Sequence, residues 1–186
     1  MADRPLRADA RRNREQVLRA AAEAFAASGF GVPLDEIAIR AGVGPGTVYR
    51  HFPTKEALFG AVTTARLEDM LADVRRRAGD PDPGAAFFGF LSRLREEASR
   101  KRDLPDALTV RGSLLEDLHE AFGVLLRRAQ QAGAVREGVG VPDLIRLLKG
   151  AFAGINDTSA GEPDRRAADL IFTVLSDGLR PRPAAQ

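Results

Sequence analysis

Apolar residues recur in this chain chiefly at every third or fourth position. Val17, Ala21, Ala24, Phe25 and Ser28 fall at i, i+4, i+7, i+8 and i+11, which is one face of a helix. No segment alternates as a half-buried strand would, and no internal repeat appears. That pattern restricts the chain to the all-α class, with about nine helices separated by glycine and proline punctuation. Asp9 can cap the first helix, and Gly29 followed by Phe30 stops it. A short helix follows over 34–41 with Leu34, Ile37, Ala38 and Ala41 on its inner face. "GVG" at 42–44 turns the chain, and Pro45 suits the first position of a helix running to about Phe52. Thr54 is a good N-cap for a long helix to about Arg77.

The run "GDPDPG" at 79–84 is a clear break, expected to mark the boundary between an N-terminal head and a body. Beyond it the pattern predicts helices over about 82–102, 112–132, 142–156 and 164–179, with one or two further turns in "RDLPDAL". The division expected is a basic arm and three-helix head over residues 1–55 and a helical body over 56–186. The fourth helix, 54–77, connects the two.

Composition excludes several kinds of chemistry. A chain of 186 residues buries about 70 % of its unfolded surface, enough for a substantial core. It contains no cysteine, so disulfides, thiolate nucleophiles and cysteine-bound zinc are ruled out. The N-terminus "MADRPLRADARRNREQ" lacks the apolar core of a signal peptide and no apolar run approaches membrane-spanning length, so a soluble, cytoplasmic protein is expected. Charge is unevenly spread. Residues 1–55 hold nine Lys/Arg against six Asp/Glu, concentrated in Arg4, Arg7, Arg11, Arg12 and Arg14, whereas the rest is close to neutral. A basic head on a near-neutral body suits a polyanionic partner; a solvated basic tail has the same composition.

The most informative segment is "AGVGPGTVYRHFPTKEALF", 41–59, which contains the single tyrosine, Tyr49, and one of the two histidines, His51. A phosphate-cradling loop would need a strand before its glycines and a Lys beside the Ser/Thr; here a helix precedes them and Thr47 has no adjacent Lys. Catalysis lacks its components, since no His pair stands at metal spacing and Glu116 with His119 is a single, unrepeated pair. No cofactor and no metal site is therefore expected.

A helix-turn-helix accounts for more. Two short helices joined by a tight glycine turn place the second, Pro45–Phe52, in the major groove. Gly44 and Gly46 let the backbone lie close to DNA. Thr47 suits a phosphate or a thymine methyl, Tyr49 and His51 suit phosphate oxygens, and Arg50 suits guanine. Val48 and Phe52 face inward, and Lys55 begins the next helix near the phosphates.

The string Ala-Gly-Val-x-x-Gly-Thr-x-Tyr-x-His-Phe-x-x-Lys-x-x-Leu, within a match over about residues 14–65, resembles the TetR family of transcriptional regulators. The segments "RDLPDAL" and "AGAVREGVGVPDL" are similar to the subgroup with an SbtR-like C-terminal domain. The resemblance implies a dimeric regulator, most often a repressor, that binds a palindromic operator through Pro45, Gly46, Thr47, Tyr49, Arg50, His51 and Lys55. It also implies a small-molecule effector bound by the body and a dimer formed through the last two helices. One departure is Val32-Pro33, where the family usually has a capping Ser or Thr. Pro33 donates nothing, and the N-terminal arginines could replace the missing phosphate contact as a minor-groove arm.

In the body, Leu144, Leu148, Phe152 and Ile155 form one apolar stripe and Leu170, Ile171, Val174 and Leu175 another, expected as core or dimer seam. Phe87, Phe88, Phe90, Leu91 and Leu94 span an arc of about 160°, wider than a packing stripe needs. Facing Leu115, Leu118 and Phe122, with Leu67 and Met70 from the connecting helix, that arc reads as core or as the wall of an apolar effector cavity with Arg95 and His119 as polar anchors. An architectural DNA-binding protein without an effector, or a helical enzyme with its site in the body, are the rival readings.

Overall fold

The computed structural model describes residues 3–99, 112–155 and 165–181. Among these there are eight α-helices and no strand: α1 Asp3–Ser28, α2 Leu34–Ala41, α3 Pro45–His51, α4 Lys55–Arg77, α5 Pro83–Ser99, α6 Ser113–Gln131, α7 Val141–Ile155 and α8 Arg165–Leu179. The turns expected in "RDLPDAL" lie outside the described residues. The helices form two compact units, divided within α4 between Arg66 and Leu67, so the break at 79–84 falls inside the second unit.

The first unit is built on α1, which begins at Asp3 rather than behind a cap at Asp9. Pro5 is tolerated in a first turn, and nothing from Arg4 to Glu15 interrupts a helix. Asp9 pairs instead with Arg12, one turn further along. The helix ends where Gly29 takes a positive φ of 68°, followed by a single 3₁₀ turn over Gly29–Gly31. Its buried face, Val17, Ala21, Ala24 and Phe25, packs with Ile37, Val48, Phe52, Leu58 and Val62 into one core. Phe25, Phe30 and Phe59 close that core with ring centroids 5.5 to 6.0 Å apart. Arg66 donates to the Ala22 carbonyl at 3.1 Å, tying α4 back to α1.

The second unit is a layered helical body around α6, whose Phe122, Leu125, Leu126 and Ala129 are buried against Phe87, Phe90 and Leu91 of α5. Leu71 and Val74 of α4, Leu144 and Leu148 of α7, and Phe172 and Leu179 of α8 complete its core. Within it the Asp73 carboxylate is 2 % exposed and is held by Arg77 at 2.9 Å, by Arg93 at 3.1 Å and by Arg76. Arg128 of α6 donates to the carbonyls of Ala78 and, at 2.9 Å, Asp80, in the turn that follows α4. None of the helices in the described residues is long and apolar enough to cross a membrane.

Candidate nucleic-acid interface

The turn between α2 and α3 is set by one glycine. Gly42 adopts φ 67°, ψ 28°, a left-handed conformation costly for any residue with a Cβ. Its N–H donates to Ile39 O, and the Val43 N–H donates to Ala38 O, both at 3.1 Å. These are the two bonds of a Schellman closure, completed by Val43 packing on the head core. Pro45 then supplies the first residue of α3, where no N–H is needed.

From this start α3 turns two faces in opposite directions. Val48 is 0 % and Phe52 3 % exposed, so the helix is clamped to α1 and α2 from within. On the other side Pro45, Gly46, Tyr49 and Arg50 are exposed, with Tyr49 48 % accessible, and Thr47 and His51 are half-buried beside them. Six of the seven residues expected at DNA thus share one short helix. The seventh, Lys55, starts α4, where the Thr54 hydroxyl accepts the Ala57 N–H at 3.1 Å. Its ammonium rests over the Phe30 ring, 4.9 Å from the centroid.

Neither Gly44 nor Gly46 has a positive φ, and a Cβ built on either meets nothing within 4 Å. The chain's own packing therefore does not require glycine at those two positions. The start of α2 matches the departure seen in the sequence, for Pro33 is the N-cap and makes no side-chain capping bond. Arg14, one of the arginines of the basic arm, has its guanidinium 5.5 Å over the Phe52 ring, a contact that nothing local in the sequence indicates.

In the body the aromatic arc is packed ring on ring. Phe87 stacks on Phe122 at 5.9 Å and Phe90 meets it at 5.4 Å, while Leu91, Leu118 and Phe122 are core. Leu67, Met70, Phe88 and Leu115 are only partly buried around that core, and His119 is half-buried. Arg180 covers Phe88 at 4.5 Å, and Arg95, expected as a ligand anchor, pairs with Asp169 of α8 at 3.0 Å. An open polar recess of about 250 Å³ lies elsewhere, lined by Arg127, Gln130, Gln131, Glu137 and Gly138.

On α7 and α8 the two apolar stripes divide. Leu144 and Leu148 turn into the subunit's own core, which leaves them nothing to offer a partner. Leu170 and Val174 are each 62 % exposed, Ile171 and Leu175 are partly buried, and Leu147, passed over in the sequence, is 48 % exposed. Phe152 and Ile155 also belong to α7, but their side chains lie outside the described residues.

Two helices joined by a Schellman turn, with an exposed polar face on the second, define a helix-turn-helix DNA-binding protein. The profile of bacterial regulatory proteins of the tetR family matches residues 17–62, and that of the transcriptional regulator SbtR-like C-terminal domain matches residues 82–181. The chain belongs to the TetR family of transcriptional regulators. It is similar to a TetR transcription regulatory protein of Mycobacterium vanbaalenii, at 36 % identity, TM-score 0.72, and 95 % and 100 % coverage of the two chains. A TetR regulator of Streptomyces coelicolor is 30 % identical, with TM-score 0.72 and coverage of 91 % and 99 %. The transcriptional regulator UidR of Escherichia coli K12 is 28 % identical over 92 % of this chain and 84 % of its own. These relatives are regulators, not enzymes.

Proposed function

We propose that this protein is a repressor that binds a palindromic operator as a twofold dimer and is released by a small, largely apolar effector. The observation that carries the DNA reading is α3 itself, with Pro45, Gly46, Thr47, Tyr49, Arg50 and His51 outward and Val48 and Phe52 locked inward. Arg50 reads a base, Thr47, Tyr49 and His51 hold backbone oxygens or a thymine methyl, and Lys55 holds a phosphate. The dimer is supported by three exposed apolar side chains, Leu170 and Val174 on α8 and Leu147 on α7, which a partner copy would remove from water. The domain assignment that goes with this is a DNA-binding head over residues 1–55, an effector and dimerisation body over 56–186, and α4 as the element common to both.

An effector would enter at the partly buried margin formed by Leu67, Met70, Phe88, Leu115 and His119, parting the rings of Phe87, Phe90 and Phe122. It shifts operator affinity only by binding one conformation better than the other, typically with about 1–3 kcal/mol of coupling. The close stacking of Phe87 on Phe122 favours a second reading, a DNA-binding regulator without an effector. Selection of duplexes from a random pool, followed by footprinting and a ligand screen for release, tests both. A protected inverted repeat freed by an apolar compound supports the first. A protected repeat that no compound releases supports the second, and sequence-indifferent coating refutes specific repression.

A further inference from the structure

We infer that Arg14 is a positioning residue for sequence recognition: its guanidinium, laid over Phe52, steadies the end of α3 so that Arg50 meets its base in register. The inference rests on the reading of α3 as the recognition helix, and it assigns Arg14 no contact with DNA.

α3 has seven residues, too few to keep its shape or direction alone. Its placement depends on Val48 and Phe52, the two side chains it sets into the head core. The Phe52 N–H also donates to the Val48 carbonyl at 2.8 Å and closes the last turn. Phe52 is thus the last fixed point of α3, two residues beyond Arg50. His51, between them, has its ring 6.2 Å from that of Phe52. A shift of the Phe52 ring carries both neighbours with it.

Arg14 reaches this ring from α1. Positions 14, 17, 21 and 24 fall at helical spacing, so Arg14 stands one turn ahead of the buried Val17, Ala21 and Ala24 on the same face. From there its stem can follow the edge of the core while the charged head stays in water. The guanidinium carbon sits 5.5 Å from the Phe52 centroid, and the residue as a whole is exposed. The neighbouring arginines are engaged differently. Arg11 meets Glu15 at 3.7 Å and Arg12 meets Asp9, whereas no ion pair among the described residues includes Arg14. Its charge is directed at the ring.

A cation over an aromatic face is a modest contact at an exposed site. It matters here because a bidentate base contact needs both guanidinium nitrogens of Arg50 in place. Phosphate contacts carry no sequence information and are made by several other residues. Loss of Arg14 should therefore lower discrimination between bases more than overall affinity.

The test compares the unsubstituted protein with Arg14→Met, which keeps a long apolar stem without the charge, and with Arg14→Lys, which restores a cation. Each is titrated on the selected repeat, on that repeat with the base pair relaxed by Arg50→Ala replaced, and on an arbitrary duplex over a range of salt. Arg14→Met should lose about two- to five-fold of the discrimination between the two repeats. The slope of log affinity against log salt should change by much less than the roughly 0.9 that accompanies a lost phosphate contact. Arg14→Lys should recover the discrimination. In a Phe52→Leu background, with folding verified by circular dichroism, Arg14→Met should cost no further discrimination, because the ring it acts through is gone. Should Phe52→Leu not fold, the comparison of Arg14→Met with Arg14→Lys decides. A slope lowered by about 0.9 with discrimination intact would make Arg14 a phosphate contact and overturn the inference. An equal loss with and without the Phe52 ring would overturn it too. If the unsubstituted protein selects no repeat, the helix-turn-helix reading fails and this inference with it. Normal selection with unchanged discrimination in Arg14→Met overturns this inference alone.

Discussion

The ammonium of Lys55 stands 4.9 Å from the centre of the Phe30 ring, and Phe30 in turn meets Phe59, one turn along α4 from the lysine, at 5.5 Å. A flexible side chain is thereby steadied at the start of α4, where exposed N–H groups and a positive helix end favour an anion. Lys55→Ala should weaken binding to every sequence alike and flatten the salt dependence by about 0.9. Phe30→Leu keeps the charge, so affinity should fall only a few-fold and the slope should stay. Titration of both variants on one duplex at several salt concentrations checks this.

Glycines 42 and 46 should respond oppositely to alanine. Gly42 has φ 67°, and Gly42→Ala should cost about 1–2 kcal/mol of head stability. Gly46 lies in α3 with no neighbour within 4 Å of a Cβ, so Gly46→Ala should stabilise the fold by about 0.5–1 kcal/mol. The added methyl faces the groove, and DNA affinity should drop about tenfold or more even as Tm rises. A Gly46→Ala protein that binds normally would remove α3 from close contact with DNA.

The contrast between these two glycines shows what was legible in the sequence. Element positions were readable because their signals are local: the glycine that must turn, Pro45 at a first position and Thr54 at a cap. Which side of α3 faces outward was legible for the same reason, since Val48 and Phe52 are four apart and fix which side is inward. Interactions between distant segments were not. Nothing near Arg14 points to Phe52, and nothing near Asp73 points to Arg93 on α5. Leu144 and Leu148 could not be separated from Leu147 as core against surface, because one apolar stripe served both sides of α7. The arc of phenylalanines was read as core or cavity wall, and only ring geometry shows Phe87 and Phe90 closing on Phe122.

Burial pushes the Asp73 carboxyl up, but the hydrogen bond and charge of Arg77, with those of Arg93, outweigh burial and hold it below its ordinary 3.8. A lowered folded-state pKa contributes stability above that ordinary value and loses it as pH falls through and below it. Body stability should therefore decline as pH falls below about 4, and Asp73→Asn should show a shallower decline. At neutral pH Asp73→Asn should cost about 2 kcal/mol. That is below the roughly 3–5 kcal/mol of a fully buried pair, because Arg77 and Arg93 keep 31 % and 29 % of their side chains exposed. Urea unfolding at several pH values measures both.

Leu170 and Val174 are exposed in the isolated chain, so a charge there should not disturb the subunit's own core. Leu170→Glu and Val174→Glu should each yield a folded monomer by light scattering with unchanged helicity, and operator affinity should fall because one head makes half the contacts. Leu144→Glu, at 0 % exposure, should instead unfold the body. Dimers that persist in both surface variants would place the seam elsewhere.

The most direct test of the account is selection of duplexes from a random pool by the unsubstituted protein and by Arg50→Ala, read by sequencing. The unsubstituted protein should recover an inverted repeat whose half-sites lie about one helical turn apart, or a multiple of it. Arg50→Ala should recover the same repeat with one base pair per half-site relaxed, a loss of about 1–3 kcal/mol of discrimination at that position. An unchanged preference in Arg50→Ala, with Thr47→Ala or Tyr49→Phe altering it instead, would contradict the reader assigned to α3, and recovery of no repeat by the unsubstituted protein would contradict the account as a whole.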